Sequence, residues 1–260
     1  MQKQNSKEHS QLLISMKKRY ITLIAVSSLI VVMISAFFIW ASISYQPMDE
    51  SLEALNSTEY VEVTIGDYIL FTPKNITPTE GVIFYPGGKV EPEAYAPLMM
   101  NIAEYGYLVV IVPMPLNLAF FSPNKAEMVI EDHPMINNWT ISGHSLGGAM
   151  AARYAFDHPN IIDGLILYAG YPADSDNMSS YNFEVLVIYG TEDHTMVENI
   201  DDKLLLLPAT TTVIVIDGGN HAYFGWYGEQ RGDGEASITR EEQQAIALSE
   251  TIDFLSILYF

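Results

Sequence analysis

A serine in a glycine-rich turn is the residue of this sequence best suited to act as a nucleophile. Ser145 lies in the pattern Gly-x-Ser-x-Gly of residues 143–147, which follows an apolar run at 138–142 and precedes a helical pattern at 149–156. A strand, this pattern and a helix in that order are typical of a serine held on a sharp, strained turn. Glycine at both ends of the pattern removes side chains that would collide across such a turn. A glycine-rich turn with an incidental serine is the alternative interpretation.

A base and an acid that could serve this serine follow two later apolar runs. A serine hydroxyl is a poor nucleophile near neutral pH and needs an adjacent base. His221 follows the run 211–216 after a short glycine turn, and Asp193 follows the run 184–189. Because ligands of a parallel sheet meet the carboxyl ends of its strands, we expect the three side chains at one edge of a sheet.

The order of the predicted elements indicates an α/β fold with a mostly parallel, doubly wound sheet. Apolar runs alternate with helical patterns, and the runs are continuous, as in strands that are buried on both faces. The predicted strands lie at 61–65, 67–71, 81–85, 107–112, 138–142, 162–168, 184–189 and 211–216. The predicted helices lie at 91–105, 125–131, 149–156, 196–206 and 239–255. Thr239 and Glu242 fit a capping box at the start of the last helix.

This arrangement resembles the α/β-hydrolase superfamily, in which serine, acid and histidine follow strands in the same chain order. The resemblance covers essentially all of residues 61–260. The Tyr-Pro-Gly-Gly loop at 85–88 and the Gly-Asn-His-Ala-Tyr-Phe segment at 219–224 resemble the compact "fold-5" hydrolases. Lipases of the superfamily usually insert large lid domains between the strands predicted at 162–168 and 184–189. Only about fifteen residues separate those strands, which predicts that a large lid is missing.

The resemblance assigns a role to each of the three side chains. Ser145 would attack a carbonyl carbon, and His221 would take its proton and return it to the leaving group. Asp193 would hold the imidazole tautomer and stabilise the imidazolium. The pattern Gly-x-x-Asp of the family favours Asp193, and Glu192 and Asp217 are the alternative acids.

Two backbone N–H groups are expected to stabilise the oxyanion that forms during attack. The resemblance implies Leu146, the residue after the nucleophile, as one donor and Gly88 of the glycine loop as the other. Pro86 stands where many relatives have histidine, so Lys89 is an alternative to Gly88.

The remaining aromatic and histidine side chains near these motifs have weaker functional interpretations. His144 is expected to pack inside the serine turn, and His194 to lie on a surface loop. Four aromatic residues closely follow His221 and either wall an acyl pocket or pack an ordered loop: Tyr223, Phe224, Trp226 and Tyr227.

The function that these observations imply is a serine hydrolase that cleaves an ester with a small or medium acyl chain. We expect no cofactor and no metal, because no spacing of His, Asp and Glu suggests a metal site. An acyltransferase or a peptidase with the same triad is an alternative. A hydrolase-fold binding module without activity is another, although such modules usually lose a member of the triad.

The N-terminal segment predicts a membrane anchor. Residues 1–19 form a basic tail, 20–45 contain no charge and are long enough to span a bilayer, 46–60 look like a polar stalk, and the hydrolase domain takes up 61–260. The positive charges before the span place the N-terminus in the cytoplasm and the catalytic domain outside the cell membrane, as a single-pass protein. A cleaved signal peptide is the alternative, but its apolar region is normally shorter and ends in a small-residue site.

Charge and cysteine content exclude several other functions. The formal net charge is −20, and five of the twelve Lys and Arg precede residue 20, so the rest of the chain is more acidic still. Such a surface argues against nucleic acid as a partner. The chain has no cysteine, which excludes disulfides, a thiol nucleophile and thiolate metal sites.

Overall fold

The computed structural model describes the backbone of residues 2–259 and the side chains of residues 16–259. The chain divides into two compact units, one ending at Ile43 and the other beginning at Ser44. The first unit consists of a long helix, and the second contains a mixed sheet with its helices.

The helix of the N-terminal unit, α1 (Gln2–Ala41), contains a segment that could cross a membrane by length and composition. That segment, Met16–Ala41, has 26 residues, and its most apolar part has no buried side chain. A helix of this length rises about 39 Å, which exceeds the roughly 30 Å of a bilayer core. The helix therefore fits the predicted span at 20–45, but it ends four residues earlier.

The second unit is built on one eight-stranded sheet with the strand order β1-β2-β4-β3-β5-β6-β7-β8. β1 and β2 form an antiparallel hairpin, β2 also pairs antiparallel with β4, and all the remaining pairs are parallel. The strands are β1 (Val61–Ile65), β2 (Ile69–Pro73), β3 (Glu80–Tyr85), β4 (Leu108–Ile111), β5 (Asn138–His144), β6 (Gly164–Tyr168), β7 (Glu184–Gly190) and β8 (Thr212–Ile216). The prediction of a mostly parallel sheet is confirmed.

The central strands have continuous apolar runs because both faces of the sheet are buried there. Every residue of β4 and β6 is buried. Helix α5 packs on β3, β5 and β6, whereas α3 and α8 pack against each other and against other strands of the sheet. The helices of this unit are α2 (Asp49–Glu53), α3 (Ala96–Glu104), α4 (Ala126–Asp132), α5 (Leu146–Asp157), α6 (His194–Val197), α7 (Ile200–Leu204) and α8 (Arg240–Tyr259). Only residues 169–183 connect β6 to β7, and they contain no helix.

The helices predicted at 196–206 and 239–255 differ from those observed in their division and in their C-terminal end. The helix expected at 196–206 is two short helices, α6 and α7, separated by Glu198 and Asn199, and the φ of −123° at Asn199 is not helical. The last helix extends four residues beyond its predicted end, to Tyr259. Its capping box is present: the Thr239 N–H donates to Glu242 Oε2 at 2.8 Å, and the Glu242 N–H donates to Thr239 Oγ1 at 3.2 Å.

Residues 46–60 differ from the stalk that their composition predicts. Their N-terminal neighbour Tyr45 pairs in a parallel bridge with Val90, and the Met48 N–H donates to the Trp226 carbonyl at 2.8 Å. Ser51, within α2, is fully buried. The segment is polar because most of its side chains face solvent, but its backbone is part of the sheet unit, which begins at Ser44 rather than at residue 61.

Candidate active site

Ser145 occupies the sharp turn between β5 and α5. Its backbone has φ 53° and ψ −121°, in the left-handed half of conformational space where a residue other than glycine is strained. A Cβ on Gly143 would lie 2.6 Å from the carbonyl carbon of Gly147, and one on Gly147 would lie 2.1 Å from the Tyr85 carbonyl oxygen. The steric reason for glycine at both ends of the pattern is therefore present in the structure.

His221 and Asp193 meet at the carboxyl ends of β8 and β7. His221 Nδ1 lies 2.6 Å from Asp193 Oδ2, and both side chains are buried. The other carboxylate oxygen of Asp193 accepts the Met196 N–H at 3.0 Å and so caps α6. Because the carboxylate can only accept, Nδ1 carries the proton in this pair and Nε2 is left as the basic nitrogen.

Neither of the two alternative acids forms a hydrogen bond with the imidazole in the part of the chain that the structure describes. The Glu192 carboxylate accepts a hydrogen bond from the neighbouring Thr191 hydroxyl at 3.3 Å, and the Asp217 side chain is exposed. Among the described residues, Asp193 is the only carboxylate bonded to the ring of His221.

Ser145 and His221 line one cavity of about 250 Å³. Residues 16–259 contain no hydrogen bond between the serine hydroxyl and the imidazole, but catalytic hydrogen bonds are often long before substrate binds. The other walls of this apolar cavity are Leu146, Ala149, Ala169, Gly170, Tyr171, Thr195 and Met196.

A second cavity of about 210 Å³ lies beside Ser145, along the glycine loop. The cavity is lined by the loop from Gly87 to Val90, by residues 144–146 of the serine turn, and by Tyr45, Gln230 and Arg231. None of the four aromatic residues that follow His221 lines either cavity at Ser145. Phe224 and Tyr227 are buried, which favours their interpretation as packing residues.

The hydrogen bonds of the glycine loop distinguish the two candidate oxyanion donors. The Lys89 N–H donates to the Asn117 carbonyl at 2.7 Å, and the Gly87 N–H donates to the Tyr95 hydroxyl at 3.0 Å. Within residues 16–259, the N–H groups of Gly88 and Leu146 have no acceptor. A Cβ on Gly88 would lie 3.0 Å from Leu146 Cδ2, so the two residues are neighbours.

A buried chain of hydrogen bonds joins the glycine loop to His221 through His144. The Tyr95 hydroxyl lies 2.8 Å from His144 Nδ1, and His144 Nε2 lies 3.1 Å from the His221 carbonyl. Because a carbonyl only accepts, His144 carries its proton on Nε2, and Tyr95 donates to Nδ1 while accepting the Gly87 N–H. Burial, and secondarily the charge of His221, lowers the pKa of His144 well below its ordinary value, so the ring is neutral. His144 thus packs as expected and also connects two loops.

Asp233 supports the backbone of the histidine loop. Its two carboxylate oxygens accept the N–H groups of His221 at 3.0 Å and of Ala222 at 2.8 Å. Burial raises the pKa of Asp233, and these N–H groups act in the opposite direction. Nothing in the Gly-Asp-Gly pattern of residues 232–234 indicates which backbone this carboxylate will contact, so the sequence alone does not reveal its role.

Helix α8 supports the same loop from the other side. The Gln243 amide accepts the Asn220 N–H at 2.9 Å and donates to the Asn220 carbonyl at 2.8 Å. Arg240 donates to the carbonyls of Ala222 and Gly225. Both side chains are buried, so the residue before His221 and the residue after it are each held by a polar group of α8.

His194 is exposed at the start of α6 and takes no part in the site. The described residues contain no group of three His, Asp or Glu side chains that could hold a metal ion.

The chain is similar in sequence or in fold to several known proteins. The family model described as "Alpha/beta hydrolase family" matches residues 81–245. A predicted CIB-like hydrolase from Thermoplasma acidophilum is 17% identical, with a TM-score of 0.52 over 74% of this chain and 97% of that chain. Est1E from Butyrivibrio proteoclasticus, solved with ferulic acid, is 13% identical, with a TM-score of 0.57 over 76% of this chain and 97% of that chain. A soluble variant of the monoglyceride lipase from Saccharomyces cerevisiae, solved with a substrate analogue, is 12% identical. Its TM-score is 0.56 over 78% of this chain and 97% of that chain. At these identities the likeness shows the fold alone. A search of curated proteins finds no match.

Proposed function

This chain belongs to the alpha/beta hydrolase family, and we propose that it is a membrane-anchored serine hydrolase that cleaves a carboxylic ester. The observation that carries the proposal is the His221–Asp193 pair at 2.6 Å, whose histidine lines the same cavity as a strained serine on a strand-to-helix turn. A serine, an oriented imidazole and a buried carboxylate form the unit that activates a hydroxyl for acyl transfer.

The proposed reaction has two steps. In the first, His221 Nε2 takes the Ser145 proton as Oγ bonds to the ester carbonyl carbon, and the carbonyl electron pair moves onto the oxygen. When that oxyanion collapses, the C–O bond to the alcohol breaks, and the imidazolium gives its proton to the departing oxygen. In the second step, water donates a proton to His221 and attacks the acyl-enzyme. Collapse releases the carboxylic acid and returns the proton to Ser145.

The N–H groups of Gly88 and Leu146 would stabilise the oxyanion in both steps. They are neighbours, they lack protein acceptors within residues 16–259, and both residues line the cavity along the glycine loop. Loss of one such donor costs about 3 kcal/mol of transition-state stabilisation.

The two cavities beside Ser145 fit an ester of small or medium size. Their volumes, about 250 and 210 Å³, lie below the range of roughly 300–1,000 Å³ that is typical of sites for drug-sized ligands. Long acyl chains would extend past both cavities into solvent, which favours short acyl and alcohol groups.

Labelling with a fluorophosphonate tests the proposal on the full chain in detergent. We expect covalent modification of Ser145, found by mass spectrometry of the labelled peptide, and turnover of p-nitrophenyl esters of short acids. Ser145→Ala should remove both signals. A wild-type chain that neither labels nor turns over any ester would favour the alternative of a binding module.

Incubation with an alcohol or an amine separates hydrolysis from the alternative chemistries that use the same triad. An acyltransferase would form the transferred ester faster than the free acid, and a peptidase would cleave amides of the same acyl group at a comparable rate. We expect the free acid to be the main product and the ester to be the preferred substrate.

We further propose that residues 20–45 anchor the protein in the cell membrane, with the N-terminus in the cytoplasm and the catalytic domain outside. The charge-free segment, the basic residues before it and the length of the helix support this arrangement. The chain lacks cysteine, so single cysteines report topology without background. An impermeant maleimide should label Lys74→Cys, but not Lys7→Cys, in intact cells. Labelling of both positions would contradict the anchor. So would the intact mass of a mature chain whose first residue lies near position 45.

A further inference from the structure

The cavity along the glycine loop is lined by two basic residues in a strongly acidic unit. Residues 44–260 contain 31 Asp and Glu but only seven Lys and Arg. Two of these seven, Lys89 and Arg231, line this one cavity, and its lining contains no carboxylate. The five others lie outside the lining of this cavity: Lys74, Lys125, Arg153, Lys203 and Arg240.

The backbone at Lys89 is held beside the cavity by two hydrogen bonds. Lys89 has φ 61°, a left-handed conformation that favours glycine and that costs free energy for a lysine. Its N–H donates to the Asn117 carbonyl at 2.7 Å, and its carbonyl accepts the Tyr45 N–H at 2.7 Å. Strain of this kind is retained where the surrounding structure holds it, often at functional sites.

The backbone at Arg231 is also fixed, and it is connected to the histidine. Arg231 is the second residue of a turn that the Asp233 N–H closes by donating to the Gln230 carbonyl at 3.1 Å, with Gly232 at φ 89°. Asp233 in turn accepts the His221 N–H. No carboxylate among the described residues forms an ion pair with the guanidinium of Arg231, which is exposed.

The position of His221 decides which half of an ester would enter this cavity. His221 lines the apolar cavity but not the cavity along the glycine loop. The leaving oxygen must lie next to the imidazole to receive its proton. The alcohol half therefore belongs in the apolar cavity, and the acyl half belongs beside Lys89 and Arg231.

We propose that the ester carries an anionic group on its acyl half, such as the free carboxylate of a dicarboxylic acid half-ester, which Arg231 and Lys89 bind. This inference rests on the proposed ester hydrolysis and names its substrate class. A guanidinium matches the geometry of a carboxylate with two parallel N–H donors, and an ammonium adds a second charge. The local positive charge also offsets the acidic surface, which would otherwise repel an anion.

Matched esters test the proposal on the full chain in detergent. The probes are monoethyl glutarate and its terminal amide, which has the same length but no charge, and the measurement is the ratio of their kcat/KM values. We expect the ratio to exceed one in the wild type and to fall about fivefold in Arg231→Gln, the scale of one partly exposed ion pair. The ratio should also fall towards one in 1 M salt, where the screening length is about 3 Å.

Lys74→Gln is the matched control, since it removes the same charge from a side chain that binds the Thr58 carbonyl outside both cavities. It should retain the wild-type ratio. A wild-type ratio of one or less, or a ratio that Arg231→Gln leaves unchanged, would overturn the proposal. In 3-acetoxypropanoate the carboxylate lies on the alcohol half of the ester. A preference for this ester over its amide, without one for monoethyl glutarate, would overturn the assignment of the anion to the acyl half.

Ligand-induced stabilisation separates failure of this proposal from failure of the proposed function. We expect glutarate, but not glutaramide, to raise the Tm of the wild type and to lose this effect in Arg231→Gln. If neither ester is hydrolysed but this pattern appears, the anion site stands and ester hydrolysis is wrong. If the neutral ester is hydrolysed and glutarate has no effect, the enzyme stands and the anion site is wrong.

Discussion

The serine side and the histidine side of the site are held in different ways. Ser145 is positioned by the backbone of its own turn, where the glycines two residues before and after it allow close packing that no side chain could permit. His221 is positioned by side chains from distant parts of the chain, because Asp193, Asp233 and Gln243 contact its ring or its backbone neighbours. The serine side is thus held by close backbone packing, which includes the approach of Gly147 to the Tyr85 carbonyl, and the histidine side by side-chain hydrogen bonds.

The difference predicts different responses to mutation. On the serine side a single added carbon meets backbone atoms that cannot move away, so the damage should appear in folding. On the histidine side a lost side chain leaves the fold with other supports, so the damage should appear first in catalysis.

The largest expected effect tests whether the two sides act as one catalytic unit. His221→Ala should lower kcat by about 10⁴-fold or more without unfolding the protein, and Ser145→Ala should do the same. If the two groups act as one unit, the double variant should be about as slow as either single variant. If the kcat of the double variant instead fell by the product of the two single losses, the two sides would act independently. Steady-state kinetics of the three variants measures this.

The next effect concerns the stability of the serine turn. Gly147→Ala places a carbon 2.1 Å from the Tyr85 carbonyl oxygen, and we expect a loss of about 3 kcal/mol in the free energy of unfolding. Gly66→Ala, in the turn between β1 and β2, is the control, since a Cβ there meets nothing within 4 Å. Denaturant unfolding of both variants measures the difference. Equal stabilities would mean that the turn can relax.

A smaller effect is expected from the support of the histidine loop. Asp233→Asn keeps the shape of the side chain but retains only one acceptor for the N–H groups of His221 and Ala222. Loss of one such bond is worth about 2 kcal/mol, or roughly thirtyfold in kcat if it acts only in the transition state. KM should change little. Asp217→Asn, an exposed neighbour, should match the wild type, and a normal kcat for Asp233→Asn would remove this residue from the positioning of His221.

The smallest effect concerns His144, which connects the two sides. In the unfolded chain its pKa is near 6.5, and burial lowers it in the folded protein. As the pH falls below about 6.5, the unfolded chain therefore binds a proton that the folded chain does not, and stability is lost by up to about 1.4 kcal/mol per pH unit. The His144→Gln variant should be less stable at pH 8 but should show a shallower loss towards pH 5.

Unfolding measured at several pH values gives this slope. Burial also lowers the pKa of His133, so the informative quantity is the difference in slope between the wild type and His144→Gln. Parallel curves for the two proteins would show that His144 does not titrate as the structure implies.

Predictions from the sequence succeeded where the signal is local. The runs of β3, β5 and β6, the serine turn and the capping box at Thr239 each depend on residues within a few positions of one another. The prediction failed where it was based on the composition of a segment alone. The polar residues 46–60 indicated a stalk, yet hydrogen bonds from Tyr45 and Met48 join this segment to the sheet unit.

The choice between Gly88 and Lys89 shows why some of the site was beyond the sequence. Both are consistent with the loop pattern, and the difference arises because the Lys89 N–H donates to Asn117. Asn117 lies in another loop, and no spacing in the sequence indicates that the two backbones meet.

The sequence by itself determined the family, the glycine-flanked serine turn and the order of the three candidate catalytic residues, because backbone sterics and hydrophobic periodicity act over short distances. Only the tertiary structure decided what holds His221, which N–H groups remain available beside Ser145, and that two basic side chains share one cavity there. These features depend on groups that are far apart in the chain and that meet only after the sheet has formed.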